Sequence, residues 1–251
     1  MDRMIYTAMT GARYALDQQA VVSNNMANAS TPGFRAQMQA MLVEPVVGAG
    51  LPTRSLTVAS TPVADFTVGP VSSTGRDLDV AMRDDAWLAI QAPDGREAYT
   101  RRGDLQVDAN GMVTVAGRPV IGEGGPLIVP VDSTLSVGTD GTISAIGPGL
   151  TPENISPVGR LKLVTALPGA LQRGEDGLFR TVPDARGVSA PLPADDNARL
   201  ASGALEGSNV SPTEAMVAMI DNARRYEMQM KVISDASDNT QRANSLLSLQ
   251  G

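Results

Sequence analysis

The sequence of 251 residues carries 27 acidic against 20 basic side chains, a formal net charge of −7, and no run of Lys or Arg, so a nucleic acid would find no electrostatic footprint on it. It has neither Cys nor His, which removes thiol nucleophiles, disulfides, imidazole bases and the commonest transition-metal ligands together. Only 3% of the residues are aromatic, so the core is expected to be thin and its stability to depend on neighbours.

The opening MDRMIYTAMTGARYALDQQ places Asp2, Arg3, Thr7 and Thr10 where a cleaved signal needs an unbroken apolar stretch, and no later stretch approaches transmembrane length. A heptad seam through Met1, Ile5, Ala8, Ala12, Ala15, Gln19, Val22 and Met26 predicts one long helix. Met9 and Leu16 flank the seam, and Pro32 with Gly33 stops the helix just past Ala29. Within NNMANASTPGFRAQ, Asn24, Asn25 and Asn28 are spaced to share one side of that helix. A carboxamide donates and accepts without charge. The trio therefore suits either a buried interface that penalises wrong registers or an ordinary solvated helix end.

From Thr31 to about Gly75 the closely spaced Pro45, Pro52, Pro62 and Pro70 exclude helix and predict an extended arm with short strands. Alternating runs follow: LDVAM, AWLAIQ and EAYTRRG, then LQVDANGMVTVAG and LSVGTDGTISAI, in which Asn110-Gly111 and Asp140-Gly141 are hairpin turns. These runs predict a compact antiparallel β domain. Residues 183–209, rich in Pro, Ala and Gly, form a return arm. Ser211, Pro212 and Glu214 make a capping box that opens a second helix, with a seam at Met216, Met219, Ala223, Tyr226, Met230, Ile233, Ser237, Thr240, Asn244 and Leu247. At about 1.5 Å per residue that helix is a rod on the order of 50 Å long.

The predicted fold class is α+β: long N- and C-terminal helices in an antiparallel coiled-coil domain (1–30 and 210–251), an arm (31–75), an inserted antiparallel all-β domain (76–182) and the return arm (183–209). Pattern alone leaves the seams open between an ordinary two-helix core and a surface shared with other copies.

Candidate chemistry is weak. Asp104, Asp108 and Asn110 match part of a calcium loop but lack its distal Glu, and a hairpin turn explains them better. Asp84-Asp85 and Asp195-Asp196 are adjacent pairs, which on a strand point to opposite faces, so neither makes a facing glycosidase pair. The GEGG at 122–125 lacks the Lys-Ser/Thr of a phosphate loop, and Arg101-Arg102 reads as a solvated strand pair or salt-bridge partner. No catalytic, metal or cofactor site is assigned.

Three stretches carry a family resemblance: NNMANASTPGFRAQ, with Thr31, Pro32, Gly33 and Phe34 at its centre; AYTRRGDLQVDANGMV; and LEGSNVSPTEAMVAMIDNARRYEMQMKVISDASDNTQRANSL. On these the chain resembles the flagellar axial proteins, the rod and hook subunits. With MDRMIYTAMTGA and PVIGEGGPLIVP it looks most like the proximal-rod branch, distal-rod or hook-type subunits being the alternative. The resemblance implies a coiled-coil inner domain, an arm and an outer β domain. It also implies export, uncleaved, through the flagellar type III apparatus and assembly in the periplasm into a helical rod that transmits torque. The implied partners are other copies of itself, the other proximal-rod proteins and the distal-rod protein, with no nucleic acid and no small-molecule substrate. Under that resemblance the two seams and the Asn24, Asn25 and Asn28 face become subunit-packing surface. The readings from other classes are a secreted multimeric binding module such as an adhesin, and an enzyme acting on cell-wall glycan.

Overall fold

The computed structural model describes residues 2–39, 41–45, 55–59, 63–147, 155–167, 169–183 and 187–248. The chain divides into two compact units. Unit 1 takes residues 1–29, 37–65 and 210–251; unit 2 takes 30–36 and 66–209.

Unit 1 holds two helices, α1 (Asp2–Ala27) and α2 (Pro212–Ser248). The start of α2 follows its sequence. Ser211 Oγ accepts from the Glu214 amide at 3.4 Å, and the first helical bond runs from Ala215 N to Ser211 O at 3.0 Å. Helix α1 closes on Asn28, whose amide is shared between the Asn24 and Asn25 carbonyls, and on Ala29, whose amide reaches Met26 O. Unit 1 also contains strands: Met41–Pro45 pairs antiparallel with Ser55–Ala59, and Gln37–Met38 with Val63–Ala64. No helix of the described residues is long and apolar enough to cross a membrane.

The expected coiled-coil domain is corrected here. On α2 the positions assigned to the seam at Met216, Ala223, Met230 and Ser237 are exposed, while Ala215, Asn222 and Ala236 are buried. A coiled coil needs large apolar knobs turned inward at both alternating positions. Here every second inward position is small or polar, and the large apolar side chains beside them face out. Where α1 and α2 touch, Gly11 meets the flexible Gln229 side chain rather than an apolar knob. Among the described residues the structure contains two helices and many short antiparallel strands.

The inserted β domain is as expected. Its largest sheet is antiparallel, in the order Leu163–Thr165, Ala86–Gln91, Glu97–Thr100, Phe179–Thr181, Leu171–Arg173. Two three-stranded sheets flank it: Leu105–Val107, Val113–Val115 and Arg118–Pro119; and Thr134–Val137, Thr142–Ile146 and Ser156–Arg160. Both hairpin turns sit where the sequence places them, with Gly111 at φ 78° and Gly141 at φ 86°. The return segment supplies two ribbons, Leu200–Ser202 on Val80–Met82 and Ala204–Glu206 on Val71–Ser73. One core cluster, including Leu88, Ile90, Leu105, Val113, Ile143 and Leu200, fills the interior; each such side chain contributes about 1.5–3 kcal/mol on burial. Aromatic side chains gather at one spot, where Trp87 packs on Phe179 at 4.7 Å and on Phe66 at 5.9 Å.

Candidate functional site

On α1, Ala8, Ala12 and Ala15 are buried and Ile5, Gln19, Val22 and Met26 half-buried. On α2, Met219, Tyr226, Ile233 and Thr240 are half-buried, whereas Met216, Ala223 and Met230 are exposed. Met1 and the side chains of Asn244 and Leu247 lie outside the described residues. The two helices expose large apolar side chains beside these faces: Met9 at 53% and Leu16 at 52% on α1, Ile220 at 54% and Met228 at 59% on α2.

The carboxamides separate in role. Asn24 is exposed. Asn28 turns its Nδ2 back onto the Asn24 carbonyl at 2.9 Å. Asn25 is engaged within the chain: its Nδ2 donates to Gln37 O and its Oδ1 accepts from Gln37 N, both at 2.8 Å. A side-chain amide thus takes the place of a neighbouring strand for one residue, fixing the first strand of unit 1 against the end of α1.

In unit 2 the Thr31–Phe34 motif has a stereochemical explanation. Gly33 stands at φ 66°, and a Cβ there would lie 2.3 Å from the Arg101 carbonyl carbon, so only glycine fits. Its amide donates to Glu206 O at 2.8 Å. The Phe34 ring lies under the Arg173 guanidinium, 4.5 Å away, and Arg173 Nη1 donates to Arg35 O. Asn209 holds the next residue, its Oδ1 accepting from Ala36 N at 2.7 Å and its Nδ2 donating to Thr67 O and Oγ1.

These contacts enclose a charged cluster that sequence reasoning missed. Arg35, Arg101 and Glu206 are buried, each with a side chain no more than 1% exposed. Arg101 donates from Nε to Glu206 Oε2 at 2.8 Å, from Nη1 to the Asp84 and Ala86 carbonyls, and from Nη2 to Met82 O. Glu206 Oε1 accepts from Gly69 N at 3.0 Å and has Arg35 Nη1 at 2.5 Å. Burial pulls the Arg101 guanidinium below its usual pKa, Glu206 opposing and Arg35 reinforcing that shift. Of the doublet read as solvated or salt-bridged, Arg102 pairs with Asp104 and Arg101 is buried. The available signal was that each of the three resemblance stretches contributes one of these charges.

Other candidates resolve into turns and surface pairs. Asp108 Oδ1 accepts from the Asn110 and Met112 amides, Asp195 from Thr165 Oγ1, and Asp196 pairs with Arg160. An open groove of about 810 Å3 runs between Arg76–Leu78, Val107–Ala109 and Pro130–Leu135. Its Arg76 is tied to Asp79, and its Asp108 to the hairpin turn.

Buried charges that bind the chain's own segments, together with terminal helices that expose large apolar side chains, are the features of a structural protein. Three family models match: flagella basal body rod protein over residues 5–35, flagellar hook protein FlgE/F/G D1 domain over 81–145, and flagellar basal body rod FlgEFG protein C-terminal over 201–246. Arg35, Arg101 and Glu206 fall one in each. The chain is 55% identical to the flagellar basal-body rod protein FlgF of Salmonella typhimurium and 54% identical to that of Escherichia coli, over 99% of this chain and 100% of each relative. It is 31% identical to FlgG of Buchnera aphidicola from Acyrthosiphon pisum, over 96% of this chain and 98% of the relative. The chain therefore belongs to the flagellar basal-body rod protein family, the family its sequence resembles.

Proposed function

We propose that this chain is a subunit of the proximal part of the flagellar rod and polymerises through its terminal helices into the helical shaft that carries torque. Family membership supplies the coarse statement: it is a structural component of the basal-body rod and works with other rod components. The observation that carries the finer reading is the exposure of large apolar side chains along both helices, Met9 and Leu16 on α1 and Met216, Ile220 and Met228 on α2. Each buried against a neighbour contributes about 1.5–3 kcal/mol, and a few such contacts offset the mutual repulsion of copies that each carry a net charge of −7. Faces that differ on the two helices favour head-to-tail contacts, which continue into a helical filament when the rotation between copies does not close a ring.

In this reading the terminal segments, 1–30 and 210–251, do the assembling, with the seam residues of α1 and the half-buried Met219, Tyr226, Ile233 and Thr240 of α2 holding the shape that presents the apolar faces. The partners are further copies, the other proximal-rod proteins and the distal-rod protein. Delivery is by the flagellar type III export apparatus, and assembly takes place in the periplasm. The test is deletion of this chain from a motile strain, complementation with the whole chain or with one truncated before residue 212, and imaging of the basal bodies. A rod restored only by the whole chain is the expected result. A complete rod in the uncomplemented strain overturns the proposal.

A further inference from the structure

We propose that residues 30–36 are a strap that undocks from unit 2 while the rest of that unit stays folded. The reasoning starts from charge. Without the strap, Glu206 and Arg101 already form a complete pair: Arg101 has an acceptor for Nε, Nη1 and Nη2, and Glu206 Oε1 keeps the Gly69 amide. Arg35 is the surplus cation. Its Nη1 stands 2.5 Å from Glu206 Oε1 but out of hydrogen-bond alignment, and its buried Nε has no acceptor among the described residues. Docking the strap therefore buries a second guanidinium against a carboxylate that is already matched, and leaves part of it unsatisfied.

The strap is also held differently from the body. It belongs to no strand, and its backbone is fixed by scattered bonds: Gly33 N to Glu206 O, Asn209 N to Phe34 O, Ala36 N to Asn209 Oδ1, and Arg173 Nη1 to Arg35 O. The chain on either side is pinned independently. Ala29 N is bonded to Met26 O, and Gln37 is clasped by Asn25. Opening is thereby confined to the segment between these two points. Phe34, seated under Arg173, and the steric fit of Gly33 against Arg101 give the strap one docked position to return to.

Amide hydrogen exchange on the full chain tests this. The Gly33 and Ala36 amides are compared with that of Ala89, which is bonded to Lys162 O in the central sheet. Local opening makes the first two exchange at least about tenfold faster than Ala89. Arg35→Met removes the surplus cation while filling its volume, and slows Gly33 and Ala36 while leaving Ala89 unchanged. Equal rates at all three amides in the wild-type chain mean the strap opens only with global unfolding and overturn the proposal. Faster exchange at Gly33 and Ala36 in Arg35→Met, with Ala89 unchanged, shows Arg35 to be the fastener rather than the weak point and overturns it too. If Arg35→Met disturbs the fold, seen as faster exchange at Ala89, the wild-type comparison still decides.

Discussion

Glu206→Gln isolates the buried cluster. The substitution keeps shape and removes the carboxylate shared by two buried guanidiniums, whose nitrogens approach its oxygens to 2.5 Å from Arg35 and 2.7 Å from Arg101. Glutamine also turns an NH2 toward groups that are themselves donors. Breaking one member of a buried ionic cluster costs about 3–5 kcal/mol, because the partners stay buried without compensation. At about 2–4 °C per kcal/mol for a chain of this size, the melting temperature falls by roughly 6–20 °C. Trp87, the single tryptophan, is the reporter: it is 3% exposed, packs on Phe179 and lies 5.8 Å from Arg101. Thermal and urea unfolding followed by its emission reads the unit directly. The control is Glu123→Gln: the Glu123 side chain is 52% exposed and its carboxylate lies 3.2 Å from Arg160; surface pairs of that kind are worth at most about 1 kcal/mol. If Glu206→Gln loses no more than Glu123→Gln, the buried Arg101–Glu206 pair does not stabilise the β unit.

Gly33→Ala forces a side chain into the left-handed region, at about 1–2 kcal/mol, and into the Arg101 backbone; a loss above about 2 kcal/mol in urea unfolding is expected. A fully stable Gly33→Ala chain would mean that the strap is not seated there. Asn25→Ala removes both bonds to Gln37, each worth about 0.5–1.5 kcal/mol, so the Gln37 amide exchanges faster while Trp87 emission is unchanged. An unaltered Gln37 rate contradicts the clasp. Asp176 is held below the ordinary carboxylate range, first by the Arg180 hydrogen bonds and then by the Leu178 amide. Folding therefore favours its ionised form. Its contribution is complete above about pH 5 and is lost as the pH falls through its depressed value. Stability curves of the wild type and Asp176→Asn should run apart at neutral pH and converge in acid; a gap independent of pH contradicts the assignment.

Local chemistry was the legible part of the sequence. Asn110-Gly111 and Asp140-Gly141 demand positive φ at glycine, and Ser211-Pro212 satisfies a helix start; in each case a few adjacent residues determine the outcome. On α1 the alanines at heptad spacing, Ala8, Ala12 and Ala15, share one buried side. The α2 seam was misread at alternate positions. Its apolar residues Met216, Ala223 and Met230 stand next to the inward-facing Ala215, Asn222 and Gln229, and hydrophobicity selects the outward set. A helix with apolar side chains on its exposed side gives that misleading signal, because periodicity reports an apolar face without saying what covers it. The Arg35, Arg101 and Glu206 cluster was hidden for another reason. Its members meet only through tertiary folding, and a charge read along the sequence looks the same whether it is solvated or paired.

Assembly through the exposed helix faces is tested most directly by Leu16→Glu combined with Ile220→Glu. Both side chains are more than half exposed, so the β unit should melt as in the wild type while neighbouring copies lose two apolar contacts and gain two charges. The variant is expressed in the strain lacking this chain, with isolated basal bodies imaged and swimming scored. A missing or truncated rod and loss of swimming are expected, with the Trp87 unfolding curve unchanged. A complete rod and normal swimming would contradict assembly through these faces.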